Sequence, residues 1–184
     1  MRKEFLLGMA DLKHGRLESA KQRLLAMGWY GDKAKENRSI FGVELGRLSQ
    51  LFQAELLLAE GKTGKAISTM ATPSLRAPVL GNLAILLHNL PFEQDVLARA
   101  YQKSGHLDRA IEEYLKLIQF DPKSQDRRLR NPIYHYRLAR LYEQKGMKAE
   151  AKREYSAFLG IWKDADRQIP EFADAMKRFS QLQP

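Results

Sequence analysis

Few side chains of this 184-residue sequence stand at spacings that could support chemistry. Gly61-Lys62-Thr63 could close a phosphate-binding loop, but that loop needs another glycine five residues before the Gly-Lys pair, where Leu56 stands. No two histidines have the short spacing that places two metal ligands on one helix face; they are His14, His88, His106 and His135. The absence of cysteine excludes disulfides and thiolate chemistry. The sequence therefore predicts no catalytic, cofactor or metal site, and no enzyme.

The remaining chemistry in the sequence is charge. Lys and Arg number 31 against 22 Asp and Glu, so the formal net charge is +9, and the excess is spread along the chain. Such a diffuse surplus favours anionic partners in general. A basic loop at residues 123–130 has no aromatic side chain for a base to stack on, so nucleic acid is not an expected partner. We expect a soluble cytoplasmic protein without membrane association, because the longest apolar run, residues 83–87, is too short to span a bilayer.

A recurring pattern of small residues organises the chain. Four times, an alanine follows a glycine by five positions, and a further small residue lies twelve positions before that alanine. The four sets are Gly8, Gly15 and Ala20; Ala54, Gly61 and Ala66; Ala98, Gly105 and Ala110; and Ala139, Gly146 and Ala151. The turn glycines are 46, 44 and 41 residues apart. A regular spacing of this size is typical of repeat proteins.

Helix-on-helix packing explains the pattern. The glycine ends one helix and begins a short turn into the next. Small residues on the two helices let their backbones approach closely, and larger neighbours fix the crossing. The scarcity of turn residues, with 12 Gly and 7 Pro, favours long helices over short strands. The four sets therefore predict four helix–turn–helix pairs.

The last two pairs also have large residues at fixed positions. These are Leu97, Tyr101, Tyr114 and Pro122 in the third pair, and Leu138, Tyr142, Tyr155 and Phe158 in the fourth. In residue types and spacing this arrangement resembles the tetratricopeptide repeat. The first two pairs depart from it, because Asp11 replaces an aromatic residue in the first, and Leu57 and Met70 replace aromatics in the second. The second half also resembles the C-terminal repeat regions of bacterial multidomain regulatory proteins.

The resemblance implies an all-α, right-handed superhelix of about four helix pairs, forming a single solenoid over residues 1–184. We expect irregular repeats over residues 1–90, regular repeats over residues 91–165 and a capping helix over residues 169–183. The apolar face of that capping helix would consist of Phe172, Met176, Phe179 and Leu182. The spacings exceed the roughly 34 residues of one repeat. A turn-rich link at 28–33, a long helix at 36–60, an extra helix at 77–90 and the loop at 123–130 would account for the excess.

The first helix of each pair should line a concave groove. From the rotation of about 100° per residue, the third and fourth pairs present Phe92, Val96, Arg99, Lys103, Ile133, Arg137, Arg140 and Gln144. The first two pairs present Arg2, Leu6, Met9, Lys13, Leu48, Phe52, Glu55 and Ala59. The C-terminal half of the groove is predicted to be basic and the N-terminal half more apolar. A solvated face is the alternative interpretation of the cations.

The resemblance implies a non-catalytic protein-interaction module that binds a peptide or helix of a partner, expected to be acidic, in this groove. The alternative is a regulatory or self-association arm of a bacterial signalling protein, docking on an N-terminal module that precedes residue 1 in a longer chain. Two apolar segments, residues 40–58 and 79–87, favour this alternative, since both are too apolar to stay uncovered. One form of it is a homodimer through the apolar N-terminal half.

Overall fold

Every element that the structure describes is an α-helix. In this computed structural model the described residues are 2–36, 40–71, 95–119, 131–164 and 169–182. The helices are α1 (Arg2–Lys13), α2 (Leu17–Glu36), α3 (Ile40–Ala59), α4 (Thr63–Met70), α5 (Val96–Lys103), α6 (Leu107–Ile118), α7 (Ile133–Gln144), α8 (Lys148–Ile161) and α9 (Pro170–Gln181). Among them, none combines the length and apolarity that crossing a membrane requires. The all-α fold class is confirmed.

The chain divides into two compact units, Met1–Ser104 and Gly105–Pro184. In the first unit α1, α2 and α3 pack on one another, and α5 packs on α3 and α4. In the second unit α7 packs on α6 and α8, and α9 packs on α8 with a smaller contact to α7. The single continuous solenoid stays a prediction.

All four turn glycines have the left-handed backbone that the pattern requires. The φ angles are 70° at Gly15, 77° at Gly61, 80° at Gly105 and 75° at Gly146. At the end of α1, the amide of Arg16 donates to the carbonyl of Asp11 at 2.8 Å, and the amide of Gly15 donates to Leu12 at 3.1 Å. This Schellman motif satisfies the last carbonyls of the helix and favours a residue without a Cβ. Gly61-Lys62-Thr63 is therefore an interhelical turn, as predicted.

The small residues of the four sets are buried. The seven alanines have no exposed surface, and Gly8 is also buried. A Cβ added to Gly8 would lie 2.1 Å from Cζ of Phe52, so α1 and α3 approach too closely for a side chain at this point. The small residues are buried as expected, and the close approach at Gly8 is to α3, which belongs to the next pair.

The large repeat residues form the core of the second unit. Tyr114, Tyr155 and Phe158 have no exposed surface, and the rings of Tyr114 and Tyr134 are 6.2 Å apart. These aromatic groups bury much more apolar area than the alanines beside them, so they supply most of the hydrophobic stabilisation. The repeat pattern thus specifies both the close approach of the helices and the packing around it.

The core of the first unit depends on α3. Leu48, Phe52 and Leu58 are buried, and the ring of Phe52 meets that of Phe5 edge-on at 6.0 Å. The apolar character of residues 48–58 is therefore satisfied inside the unit, and it no longer favours self-association. The second apolar segment, residues 79–87, lies outside the described residues.

The turn-rich link predicted at residues 28–33 is wrong, because α2 continues through it to Glu36. A glycine inside a helix costs about 1 kcal/mol relative to alanine, and the strong helix formers around Gly28 and Gly31 offset that cost. The long third helix is confirmed, although it begins at Ile40. The extra helix expected at residues 77–90 and the loop at 123–130 lie outside the described residues.

The capping helix is present as α9, but its apolar face differs from the prediction. Phe172 and Ala175 are buried, whereas Met176 is 48% exposed. The buried stripe steps from 172 to 175, and the next turn places the partly buried Phe179 beneath the ammonium group of Lys152 at 5.8 Å. A 3.6-residue period allows either 175 or 176 to follow 172, and the small alanine permits the closer approach to α8.

Candidate peptide-binding surface

Four predicted groove residues lie on α7. Arg137, Arg140 and Gln144 follow Ile133 at spacings of 4, 3 and 4 residues, which places all four on one side of the helix. Ile133 is buried and belongs to the core, so it is not the accessible apolar contact that we expected. The Arg140 side chain is 41% exposed, Gln144 is exposed and Arg137 is partly buried. We refer to Tyr136, Arg137, Arg140 and Gln144 together as the α7 surface.

A carboxylate is bound at the centre of the α7 surface. Oδ2 of Asp174, on α9, accepts a hydrogen bond from the Tyr136 hydroxyl at 2.8 Å and another from Nη1 of Arg140 at 3.3 Å. Nε of Arg178 donates to the same oxygen at 2.7 Å. The Arg140 guanidinium also lies 6.0 Å from the centre of the Tyr136 ring. Tyr136 and Arg140 thus act together as a pair of donors for an anion.

A second carboxylate extends this polar network along α7. Oε2 of Glu143 accepts from the hydroxyl of Tyr155 at 2.5 Å and from Nη1 of Arg178 at 3.1 Å. Nε of Arg140 lies 4.0 Å from it. Arg178 therefore joins Glu143 to Asp174, and the two arginines balance the two carboxylates.

The electrostatics keep the Asp174 carboxylate ionised. Burial by itself would raise the pKa of Asp174, but hydrogen bonds from Tyr136 and Arg178 lower it below its ordinary value. Burial, and then the bond to Asp174, raise the pKa of Tyr136. A protonated phenol therefore faces a charged carboxylate over the whole neutral range, and the contact is a charge-assisted hydrogen bond.

Aromatic rings support the α7 surface from below. The ring of Tyr136 is 5.5 Å from that of Phe158 and 6.2 Å from that of Tyr155, and Phe158 is 5.0 Å from Trp162. Phe158 and Tyr155 are fully buried on α8. Packing against them fixes the ring of Tyr136, so its hydroxyl is held at the edge where Asp174 binds.

The basic groove residues of the first unit are also engaged. Nε of Arg99, on α5, donates to Asp95 at 2.8 Å, and its Nη2 donates to Glu55 on α3. Burial would lower the pKa of Arg99, but the charges of Asp95 and Glu55 raise it overall. Lys103 is exposed, with its ammonium nitrogen 3.5 Å from the carbonyl of Leu58. The predicted excess of positive charge is thus reduced at Arg99, as it is at Arg140.

Several other groove positions are placed differently from the prediction. Val96, Leu48, Phe52 and Glu55 are all buried in the first unit and line no accessible surface. Their helices are covered by neighbours on more than one side, since α3 contacts α1, α2, α4 and α5. Phe92 lies outside the described residues.

The sequence interpretation missed a buried anion in the first unit. Asp11 stands where the repeat has an aromatic residue, and its carboxylate accepts from Ser19 at 2.6 Å, Arg16 at 2.8 Å and Arg23 at 2.7 Å. Arg23 also binds Glu4 at 2.8 Å. These bonds, led by that from Ser19, hold the pKa of Asp11 well below its usual range. The signal in the sequence was an aspartate followed by two arginines across the predicted turn.

Histidine has a structural role where the structure describes its contacts. Nδ1 of His135 lies 2.8 Å from Oε2 of Glu154, which joins α7 to α8. His14 and His106 are exposed beside the turn glycines, and His88 lies outside the described residues. In the ranges that the structure describes, no three His, Asp or Glu side chains are grouped to hold a metal ion. In this structure the α7 surface contacts the carboxylate of Asp174.

Helical pairs joined by glycine turns define a helical-repeat protein. The tetratricopeptide repeat family model matches residues 95–124 and 133–161 of this chain. They coincide with the third and fourth pairs, where the sequence pattern is fullest. Tetratricopeptide repeats are generally protein-interaction modules. No curated protein matches the sequence.

Two solved structures have a similar fold. Both are crystal structures of a candidate kinesin light chain from Podosopora anserina with nearly identical TPR-like repeats, and one carries a single substitution. Their identities to this chain are 18% and 16%, each with a TM-score of 0.59, covering 98% of this chain and 84% of the other. At this identity the similarity shows the fold alone. It supports the TPR-like class but not the resemblance to bacterial regulatory proteins.

Proposed function

We propose that this chain is a non-catalytic interaction module that binds an acidic peptide or helix of a partner protein at the α7 surface. One observation carries the proposal: Arg140 lies in the predicted groove row, holds a carboxylate together with Tyr136, and still has 41% of its side chain exposed. A partner segment with an aspartate or glutamate would find the same two donors.

Charge also favours an acidic partner. The net charge of +9 raises the rate at which an acidic segment meets the chain, because long-range attraction steers association. Specificity would come from the hydrogen bonds at Tyr136 and Arg140, since these have a fixed direction, with Gln144 available for a neutral polar contact. No step of bond making or breaking is part of this function.

The test compares acidic, neutral and basic synthetic peptides of equal length, measured by fluorescence anisotropy. The double substitution Arg137→Glu, Arg140→Glu should weaken the binding of the acidic peptides at least about tenfold, because electrostatic attraction becomes repulsion. The control is Arg109→Glu with Lys148→Glu, two exposed cations of the same unit, which changes net charge by the same amount. Thermal unfolding of both proteins checks that the fold is retained. Equal weakening in the two double variants would mean that net charge, and not the α7 surface, binds the peptides.

A second candidate function is self-association through the first unit. Leu25 on α2 is 68% exposed, and Leu6 and Leu7 on α1 are also exposed. Exposed leucines on neighbouring helices can be covered by a second copy. Light scattering after size exclusion, at two concentrations, should then give a mass that rises above 21.2 kDa with concentration. A constant mass of one chain would exclude this function.

A further inference from the structure

The capping helix α9 is held by polar contacts as well as by packing. Two of its residues, Phe172 and Ala175, are buried. Two others, Asp174 and Arg178, bind α7 side chains through their charged groups. Thus α9 has both buried residues and charged contacts, and the charged contacts join it to α7.

Both α7 donors of the Asp174 site would be present without α9. The Tyr136 hydroxyl and the Arg140 guanidinium are four residues apart on α7, on one side of that helix. Tyr136 is held by the rings of Phe158 and Tyr155 on α8. Two of the three donors to the Asp174 carboxylate thus come from α7, and the third, Arg178, comes from α9 itself.

The occupied site is open to exchange. Side chains of Arg140 and Asp174 are 41% and 32% exposed, so water reaches both partners. Ion pairs with this exposure add little net stability, because their attraction is offset by desolvation and by ordering of the side chains. A carboxylate from another chain could replace that of Asp174 with little loss.

We infer that the α7 surface recognises an amphipathic helix bearing a carboxylate, and that α9 is an internal competitor which such a helix displaces. The partner helix would have α9 chemistry: an aromatic residue two positions before the acidic residue, like Phe172, and a small residue after it, like Ala175. This inference rests on the proposed function and specifies its ligand and its regulation. Because α9 is tethered, a free helix binds only in proportion to the fraction of chains whose α9 is displaced.

The experiment uses the whole chain and a fluorescent synthetic peptide with the sequence of residues 169–182. In the Asp174→Asn chain the internal helix loses its ion pair with Arg140, so the peptide should bind about threefold to fivefold more tightly than to the wild type, the effect of one partly exposed pair. Asp164→Asn is the matched control, since Asp164 is an exposed aspartate of the same unit outside the site. It should leave the affinity unchanged.

Three further measurements locate the effect. Adding Arg140→Gln to the Asp174→Asn chain should remove the increase in peptide affinity. A peptide that itself carries Asp174→Asn should bind the Asp174→Asn chain no more tightly than the wild type. Arg178→Gln removes the bond from α9 to Glu143 and one donor to Asp174, and it should increase peptide binding while the Asp174 carboxylate is retained. Circular dichroism confirms that each chain is helical.

The inference is overturned if Asp174→Asn and Arg178→Gln bind the peptide no better than Asp164→Asn, or if the gain survives Arg140→Gln. Loss of acidic-peptide binding in the Arg137→Glu, Arg140→Glu chain would still support the proposed function in that case. The two ideas can therefore fail separately.

Discussion

Replacing Gly8 by alanine is a direct test of how closely α1 and α3 approach. The new Cβ would lie 2.1 Å from Cζ of Phe52 and within 2.9 Å of both Cε atoms. Carbon atoms in contact are normally about 3.5–4.0 Å apart. The ring must therefore move by roughly 1.5 Å, the difference between these distances. Phe52 has no exposed surface and meets Phe5 edge-on, so that movement disturbs a second ring.

Two opposing effects determine the sign of the change in stability. Alanine is the better helix former, which favours the variant by about 1 kcal/mol. Overpacking of a closed core typically costs about 1–3 kcal/mol. The overlap with Phe52 is severe, which places the cost at the upper end of this range. We expect a net loss of about 1–2 kcal/mol in the free energy of unfolding of the first unit.

Urea unfolding followed by circular dichroism measures this change, with Gly28→Ala as the matched control. Gly28 lies in α2 of the same unit, and a Cβ there would meet no atom within 4 Å. That variant should gain up to about 1 kcal/mol from helix propensity alone. Phe52→Leu in the Gly8→Ala background should recover part of the loss, since the overlapping ring atoms are removed.

The opposite result is easy to recognise. If Gly8→Ala stabilises the chain as much as Gly28→Ala, then Phe52 moves aside without cost and the close approach of α1 and α3 does not limit the residue at position 8. A loss that persists unchanged with Phe52→Leu would assign the cost to another neighbour.

Two polar contacts of the second unit give further predictions. Burial raises the pKa of Glu154, but the hydrogen bonds and charges of His135 and Arg153 together lower it below the ordinary value. Its folded-state pKa is thus below its unfolded value of about 4.3, so the stability it adds is present above that pH and is lost as pH falls through the folded pKa. In urea titrations the wild type should have a larger free energy of unfolding than Glu154→Gln, and this difference should decrease below about pH 4.3. A difference that does not change with pH would contradict the lowered pKa of Glu154. Tyr155→Phe should lower the free energy of unfolding by about 1 kcal/mol, because Glu143 loses a hydrogen-bond donor at 2.5 Å but keeps Arg178. An unchanged urea midpoint would show that water replaces the hydroxyl.

The helix pairs could be predicted from the sequence because their causes are local. A glycine that ends a helix and an alanine five residues later lie within one turn and the start of the next helix. Gly105 and Ala110 are an example. Gly105 has a φ of 80°, and Ala110 is completely buried. The continuation of α2 through Gly28 could not be predicted in the same way. Glycine destabilises a helix by only about 1 kcal/mol relative to alanine, so its presence does not decide between a helix and a turn.

The charge state of the groove could not be predicted because its causes are distant along the chain. Arg140 is bound by Asp174, 34 residues later, and Arg99 by Glu55, 44 residues earlier. Counting cations on one helix face predicts a basic surface, but the balancing carboxylates come from helices whose position depends on tertiary packing. Asp11 shows the same limitation, since its partners Arg16 and Arg23 meet it only after α1 and α2 fold together.

The four left-handed turns also affect how the chain folds. Each turn lies between two small residues that are twelve positions apart in the sequence, such as the buried Gly8 and Ala20 of the first unit. Closing so short a loop has a small entropic cost and takes on the order of 100 ns or less. Each pair can therefore begin to form from its own residues before the others are in place. A chain dominated by such local contacts has a low contact order, for which folding within about microseconds to milliseconds is typical.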